Sequence, residues 1–330
     1  FVVNTAFDCG RFPDAGFLVV KDTLQSLQLL AAHHRGSYDI PVVGITGSDG
    51  KTIVKEWLYQ LTAGNYVVTR SPRSYNSQIG VPLSVWLMNE RTELGIFEAG
   101  ISEMGEMEAL QSIIRPTIGV LTNIGGAHQE NFYSTSDKCM EKLTLFKDCD
   151  VVIYDADNEL INNCVGKCLF GAREIAWSKK NPEQPLYIEG VKKGDTATTI
   201  RYRYLGMPNE YTIPFIDDAS VENSIHTLAV ALYMMLSPEK IAERMAHLEP
   251  IAMRLEVKEG KNGCILINDS YNSDLASLDI ALDFMSRRSE DKGRKRTLIL
   301  SDMLETGQST KFLYRQVAEL AQSRGVDKII

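Results

Sequence analysis

The chain has 330 residues, 44% hydrophobic and 24% charged, an ordinary balance for a folded protein of about two domains with room for a third. Its formal charge of −8 leaves no basic excess to neutralise a phosphate backbone, so nucleic acid is not an expected partner. Six cysteines without a Cys-x-x-Cys pair argue against a zinc module and read as reduced thiols of a cytoplasmic enzyme.

No apolar run approaches the ~20 residues of a membrane span, so membrane insertion is not expected. The opening "FVVNTAF" has no basic segment and does not look like a signal peptide; without an initiator Met, the beginning is expected to be missing. "GFLVV" and "DTLQSLQLLAAHH" then read as the last strand and helix of a partial N-terminal domain, residues 1–39.

From residue 40, short β-branched runs alternate with amphipathic ones. "IPVVGIT" is followed by "TIVKEWLYQLTA", where Ile53, Val54, Trp57, Leu58 and Leu61 share one helical face. "YVVTR", "LGIFEAG", "TIGVLTNI" and "VVIYDAD" come next, each short, apolar and closed by a turn-forming residue. The pattern predicts an α/β fold with a parallel sheet and helical crossovers, in which ligands bind at the carboxyl ends of strands. Between about 165 and 215 the text reads as a hairpin-rich insert, and the helix "SVENSIHTLAVALYMML" follows it within a central domain, 40–249. A hinge is expected near "LEPIAM". Beyond it "CILINDS", "LASLDIALDFMSRR", "TLILSDM", "KFLYRQVAELAQSRG" and "VDKII" form a second, Rossmann-like α/β pattern, 250–330, which stops where a further crossover is expected.

The sharpest local signal is "VVGITGSDGKT" at 42–52. Gly44, Gly47 and Gly50 separate a strand from a helix that opens on Lys51 and Thr52. Glycines let backbone N–H groups approach phosphate oxygens, and a helix N-terminus favours negative charge. Gly47, Ser48, Gly50, Lys51 and Thr52 are therefore the expected phosphate-binding residues, with Lys51 at the β/γ-phosphates and the Thr52 hydroxyl on Mg²⁺. The spacing departs from G-x-x-x-x-G-K-[ST], because position 45 is Ile. No guanine-reading Asn-Lys-x-Asp occurs, which argues against a GTPase. Glu98 ends one strand, Asn123 and His128 follow the next, and Lys142 lies on the helix "SDKCMEKLTLF". A strand-end carboxylate beside such a loop suits a Mg²⁺ ligand. Taken alone, each has a plainer reading: an exposed acid, a loop histidine, a solvated helix lysine.

Together these residues resemble the Mur ligases, the ATP-dependent ligases that build the peptide stem of bacterial peptidoglycan. "GITGSDGKT" is similar to their phosphate loop, with Asp49 where Asn is usual. "YNSQIGVPLSVW", "TNIGGAHQENF", "INDSYNSDLAS" and "ILSDMLETG" resemble the member that adds D-Ala-D-Ala to UDP-MurNAc-tripeptide. The resemblance implies ATP, two Mg²⁺ ions, those two substrates and an acyl-phosphate intermediate. It implies Thr52 and Glu98 as ligands of one Mg²⁺, His128 as a ligand of the second, and Lys142 as a carbamylated, metal-binding lysine. With Lys51, the last two would be the catalytic groups. Asn223, Arg254, Asp269 and Asn272 would contact the nucleotide. Asn76, Gln78 and Asn123 would face the muramyl substrate. His33, His34, His226 and His247 match nothing functional and read as structural or surface residues. The resemblance also admits a fused alanine racemase domain. Two alternatives stay open: another ligase of the Mur or folylpolyglutamate type, and an inactive nucleotide-binding module of a fusion protein.

Overall fold

The structure, a computed structural model, describes residues 1–125, 129–168, 171–252, 254–270, 275–289, 294–303 and 309–330, and for residues 276 and 287–289 the backbone alone. His128 and Asn272 lie outside the described residues.

The N-terminal part is a parallel pair, β1 (Val2–Asn4) and β2 (Leu18–Val20), followed by α1 (Thr23–Arg35). Arg35 is buried and docks α1 on the central part. Its guanidinium donates to the Ile114 carbonyl at 2.8 Å and the Arg115 carbonyl at 3.1 Å, satisfying the end of another helix.

The central part runs β3 (Val42–Thr46), α2 (Lys51–Thr62), β4 (Val68–Arg70), α3 (Gly80–Val85), β5 (Leu94–Glu98), α4 (Glu106–Ile114), β6 (Ile118–Leu121) and α5 (Thr135–Leu143). It continues with β7 (Val151–Asp155), α6 (Glu159–Val165), β8 (Arg173–Ser178), β9 (Leu186–Lys193), β10 (Thr198–Tyr204), β11 (Met207–Ile213), α7 (Asp218–Tyr233) and α8 (Pro238–Met245). One nine-stranded sheet has the order β11-β10-β9-β8-β7-β6-β3-β5-β4. Pairing is parallel from β4 to β9 and antiparallel from β9 to β11.

The parallel strands are covered on both faces, which is why they read as unbroken apolar runs rather than alternating ones. Val43 and Ile45 of β3, with Val151 and Ile153 of β7, join the core under α2, α7 and α8. Their neighbours Val42, Val152 and Tyr154 join the opposite core under α1, α3, α4, α5 and α6. Within the stretch 165–215, β9 to β11 form the antiparallel hairpins. Trp177 and Ser178 of β8 pair with Leu186 and Tyr187 of β9, so the hairpins extend the same sheet.

The C-terminal part holds an antiparallel pair, β12 (Glu256–Glu259) and β13 (Ile265–Asn268), then α9 (Leu275–Ser289), β14 (Thr297–Leu298), α10 (Thr310–Ser323) and β15 (Lys328–Ile329). β14 and β15 pair in parallel across α10, the crossover expected there. A small third core gathers Leu278, Leu282, Met303, Leu313 and Val317. Among the described residues no helix is long and apolar enough to cross a membrane.

Candidate active site

β3 lies between β5 and β6, and the loop after it faces the carboxyl ends of both neighbours. Gly47 has φ 145° and Gly50 φ 80°, backbone that a side chain opposes. Space forbids one as well. A Cβ on Gly47 would lie 2.0 Å from Thr122 Oγ1, and one on Gly50 would lie 2.2 Å from Asn223 Oδ1. Gly50 is the N-cap of α2 and offers no side-chain cap. By contrast α1, α5, α6, α7 and α8 are capped by Asp22, Ser134, Asn158, Asp217 and Ser237. The start of α2 thus has no side-chain cap of its own, which suits that end of the helix to an anion.

Asn123 holds the loop in shape. Its carbonyl accepts from Ser48 N at 3.0 Å, and its side-chain oxygen accepts from Asp49 N at 2.8 Å. Ser48 Oγ accepts from Gly125 N at 2.8 Å, and Thr122 Oγ1 donates to the Asp49 carbonyl. Asn123 was expected to face the acceptor substrate; here both of its oxygens serve the phosphate loop.

Three lysines converge on the loop. Lys51 Nζ donates to the Gly47 and Ser48 carbonyls, both at 2.8 Å. Lys142 Nζ reaches the Gly47 carbonyl at 3.3 Å from the last turn of α5, and Lys138 donates to the Gly125 carbonyl. Lys142 is only 4% exposed. Burial, with the nearby charges of Lys51 and Lys138, holds its ammonium well below the ordinary lysine range, partly offset by Asp49. Asp49, the departure from the usual Asn, is therefore an acid placed among cations.

At the end of β5, Glu98 Oε2 accepts from Thr52 Oγ1 at 3.0 Å, and the same hydroxyl lies 3.0 Å from Ser74 Oγ. A hydroxyl and a carboxylate on adjacent elements suit a hard cation that takes its remaining ligands from phosphate and water. Among the described residues no group of three or more His, Cys, Asp or Glu gathers to hold a metal by itself. An ammonium is no metal ligand, so Lys142 fits such a role only after losing its charge.

Asn223, 6% exposed, lies against Gly50, which brings α7 to the loop. Arg254 lines a crevice of about 50 Å³ with Ile53, Trp57, Phe215 and Asp217, and Asp269 accepts from the neighbouring Leu255 N at 3.1 Å. Gln78 is tied at both ends of its amide, accepting from Gln28 Nε2 at 2.9 Å and donating to the Glu106 carbonyl at 3.0 Å. The Asn76 carbonyl accepts from Gly100 N at 2.8 Å. Sequence reasoning missed Lys55. It is fully buried on α2 and lies 3.2 Å from Glu98 Oε1. Lys55 lies off the face formed by Ile53, Val54, Trp57, Leu58 and Leu61, so no local pattern marked it.

A strand, a glycine loop and an open helix end, with a hydroxyl–carboxylate pair beside them, place the chain among P-loop nucleotide-binding α/β proteins. Within that class it belongs to the Mur ligase family: residues 45–231 match the Mur ligase middle domain. It is similar to the UDP-N-acetylmuramoyl-tripeptide–D-alanyl-D-alanine ligase of Bacillus subtilis, 29% identical over 315 residues that make up 94% of this chain and 67% of that protein. Two solved structures share its fold. MurF from Acinetobacter baumannii has a TM-score of 0.82 at 20% identity, covering 99% of this chain and 70% of that one. MurF ligase from Thermotoga maritima in complex with ADP has 0.81 at 21%, covering 96% and 72%. The chain spans about two thirds of the length of these relatives.

Proposed function

We propose that the chain is an ATP-dependent carboxylate–amine ligase that adds D-alanyl-D-alanine to UDP-MurNAc-tripeptide, the reaction named for its relatives, in peptidoglycan precursor synthesis in the cytoplasm. The observation that carries it is the uncapped start of α2 with Lys51 above it and the Thr52–Glu98 pair beside it. The proposal includes the division into 1–39, 40–249 and 250–330, with the middle part holding ATP. A fused alanine racemase finds no support in the relatives' names and is left out.

A carboxylate is a poor electrophile, and ATP solves this by turning it into an acyl phosphate that an amine can attack. The protein's part is charge neutralisation and alignment. The α2 amides and Lys51 hold the phosphates, and Asn223 borders the loop from α7. Thr52 and Glu98 would hold one Mg²⁺, which supplies charge neutralisation to the phosphates. Lys142, His128 and a second Mg²⁺ form the finer part of the proposal. Burial beside two other lysines favours a neutral Lys142 amine, and a neutral amine is the form that CO₂ carbamylates. Such a carbamate would replace a repelling cation by an oxygen anion. Arg254, Asp269 and Asn272 would approach the nucleotide by motion at 248–253, which would shield the acyl phosphate from water.

The test is phosphate release from ATP and Mg²⁺ with UDP-MurNAc-tripeptide and D-Ala-D-Ala, each omitted in turn. Release that requires both and collapses in Lys51→Ala supports the reading. Release supported by a different acceptor or amine moves the substrate. Nucleotide binding without turnover refutes the ligase.

A further inference from the structure

Lys55 sits one turn beyond Lys51 on α2, with its side chain entirely buried. Lysines are almost never fully buried unless paired, and this one is paired four times. Its ammonium lies 3.2 Å from Glu98 Oε1 and 3.1 Å from Glu56 Oε1, and it donates to the Ser71 carbonyl at 2.9 Å and to the Arg73 carbonyl. Three protons are thus shared among four oxygens from three segments. Glu56 is shared in turn with Arg70, whose Nε lies 3.0 Å away.

Two of those segments carry the chemistry. Glu98 is held through both oxygens, Oε1 by Lys55 and Oε2 by Thr52. Its backbone N–H also donates to Ser71 Oγ at 3.3 Å. The turn at 71–73 leads straight into Ser74, Asn76 and Gln78. Arg73 has φ 48°, a conformation that needs outside support in a residue with a side chain, and Lys55 holds its carbonyl.

We propose that Lys55 is a positioning residue: one buried ammonium fixes both the carboxylate of Glu98 beside Thr52 and the turn that launches the loop of Asn76 and Gln78. The cation side and the acceptor side of the site then share a single support. The acceptor half of this statement rests on the ligase reading above; the Glu98 half does not.

The test compares wild type with Lys55→Met and Lys55→Gln, the second keeping a donor in case the first fails to fold. Calorimetry of ADP is run in EDTA and in Mg²⁺, and KM is measured separately for ATP and for UDP-MurNAc-tripeptide. ADP affinity in EDTA is expected to stay within about twofold, because the α2 amides and Lys51 are untouched. The gain in affinity on adding Mg²⁺ is expected to shrink at least ~5-fold, and acceptor KM to rise ~10-fold while ATP KM moves less than ~3-fold. Lys55→Gln falls between wild type and Lys55→Met. Removing a cation would by charge alone raise the Mg²⁺ gain, so a fall reports geometry. An unchanged or larger Mg²⁺ gain overturns the proposal. So do two KM values that move together, since loss of folded protein lowers kcat without separating the substrates. If the wild type shows no turnover, the ligase reading fails, and the calorimetric arm still decides the role of Lys55 at Glu98.

Discussion

His226 on α7 is 1% exposed and bridges β8 and the residue that follows β6. Trp177 Nε1 can only donate, and it lies 3.3 Å from His226 Nδ1, which must therefore accept. That fixes the tautomer: Nε2 carries the proton and donates to the Thr122 carbonyl at 3.0 Å. A second proton would go on Nδ1, facing the indole N–H, and would bury a charge. Burial pushes the pKa down to about 4 from 6.5, slightly opposed by the Thr122 contact. An unfolded chain takes up this proton below about pH 6.5 and the folded one only near 4. Stability is unaffected above that window and falls with acidification through it. At 1.36 kcal/mol per unit the full loss is about 3 kcal/mol. Urea unfolding at pH 7.5 and at pH 4.5 measures it, with His226→Gln as a variant that cannot titrate. The carboxyl groups titrate equally in both proteins, so wild type should lose about 2–3 kcal/mol more than the variant. Equal losses would refute the buried neutral histidine.

Gly47→Ala drives a methyl into Thr122 Oγ1 and the Asn123 backbone. Strain of about 1–3 kcal/mol should lower ADP affinity by roughly 10-fold or more, and calorimetry within twofold of wild type would contradict the clash. Lys142→Met removes a buried amine that the unfolded chain protonates below 10.5 and the folded one only at lower pH. Wild type should gain stability from pH 7 to pH 10 relative to the variant, and parallel thermal melts would tell against it. Trp57 is 2% exposed, stacks on Phe215 with centroids 5.0 Å apart and donates to the Glu249 carbonyl at 3.1 Å. Trp57→Ala should cost about 3–5 kcal/mol in urea unfolding; a loss under ~1 kcal/mol would mean the site collapses without penalty.

The parallel strands were legible because burial on both faces leaves unbroken β-branched runs closed by Gly, Asn or Asp. The phosphate loop was legible because only glycine tolerates the backbone at Gly47 and Gly50. Lys142 was visible only by resemblance, since a helix lysine looks the same in sequence whether it is solvated or buried beside two others. Lys55 escaped for the same reason. The attachment of β9 to β8 depends on a two-residue pairing, Trp177 with Leu186 and Ser178 with Tyr187, which no local pattern encodes. The contacts of Asn123 and Gln78 were hidden too, because an amide's partners are not written in its local sequence.

The unequal cores also order the molecule in time. β3 is flanked on both edges and buried at every residue, so its amide hydrogens can exchange with solvent only when the whole sheet opens. Among the described residues, β12 with β13 and β14 with β15 form two-stranded pairs, and their amides need only a local excursion. The phosphate loop follows buried β3, while Arg254 and Asp269 flank the two-stranded β12–β13 pair. A brief opening of the far end would therefore leave the phosphate loop in place and interrupt only the contacts that Arg254 and Asp269 are proposed to bring to it.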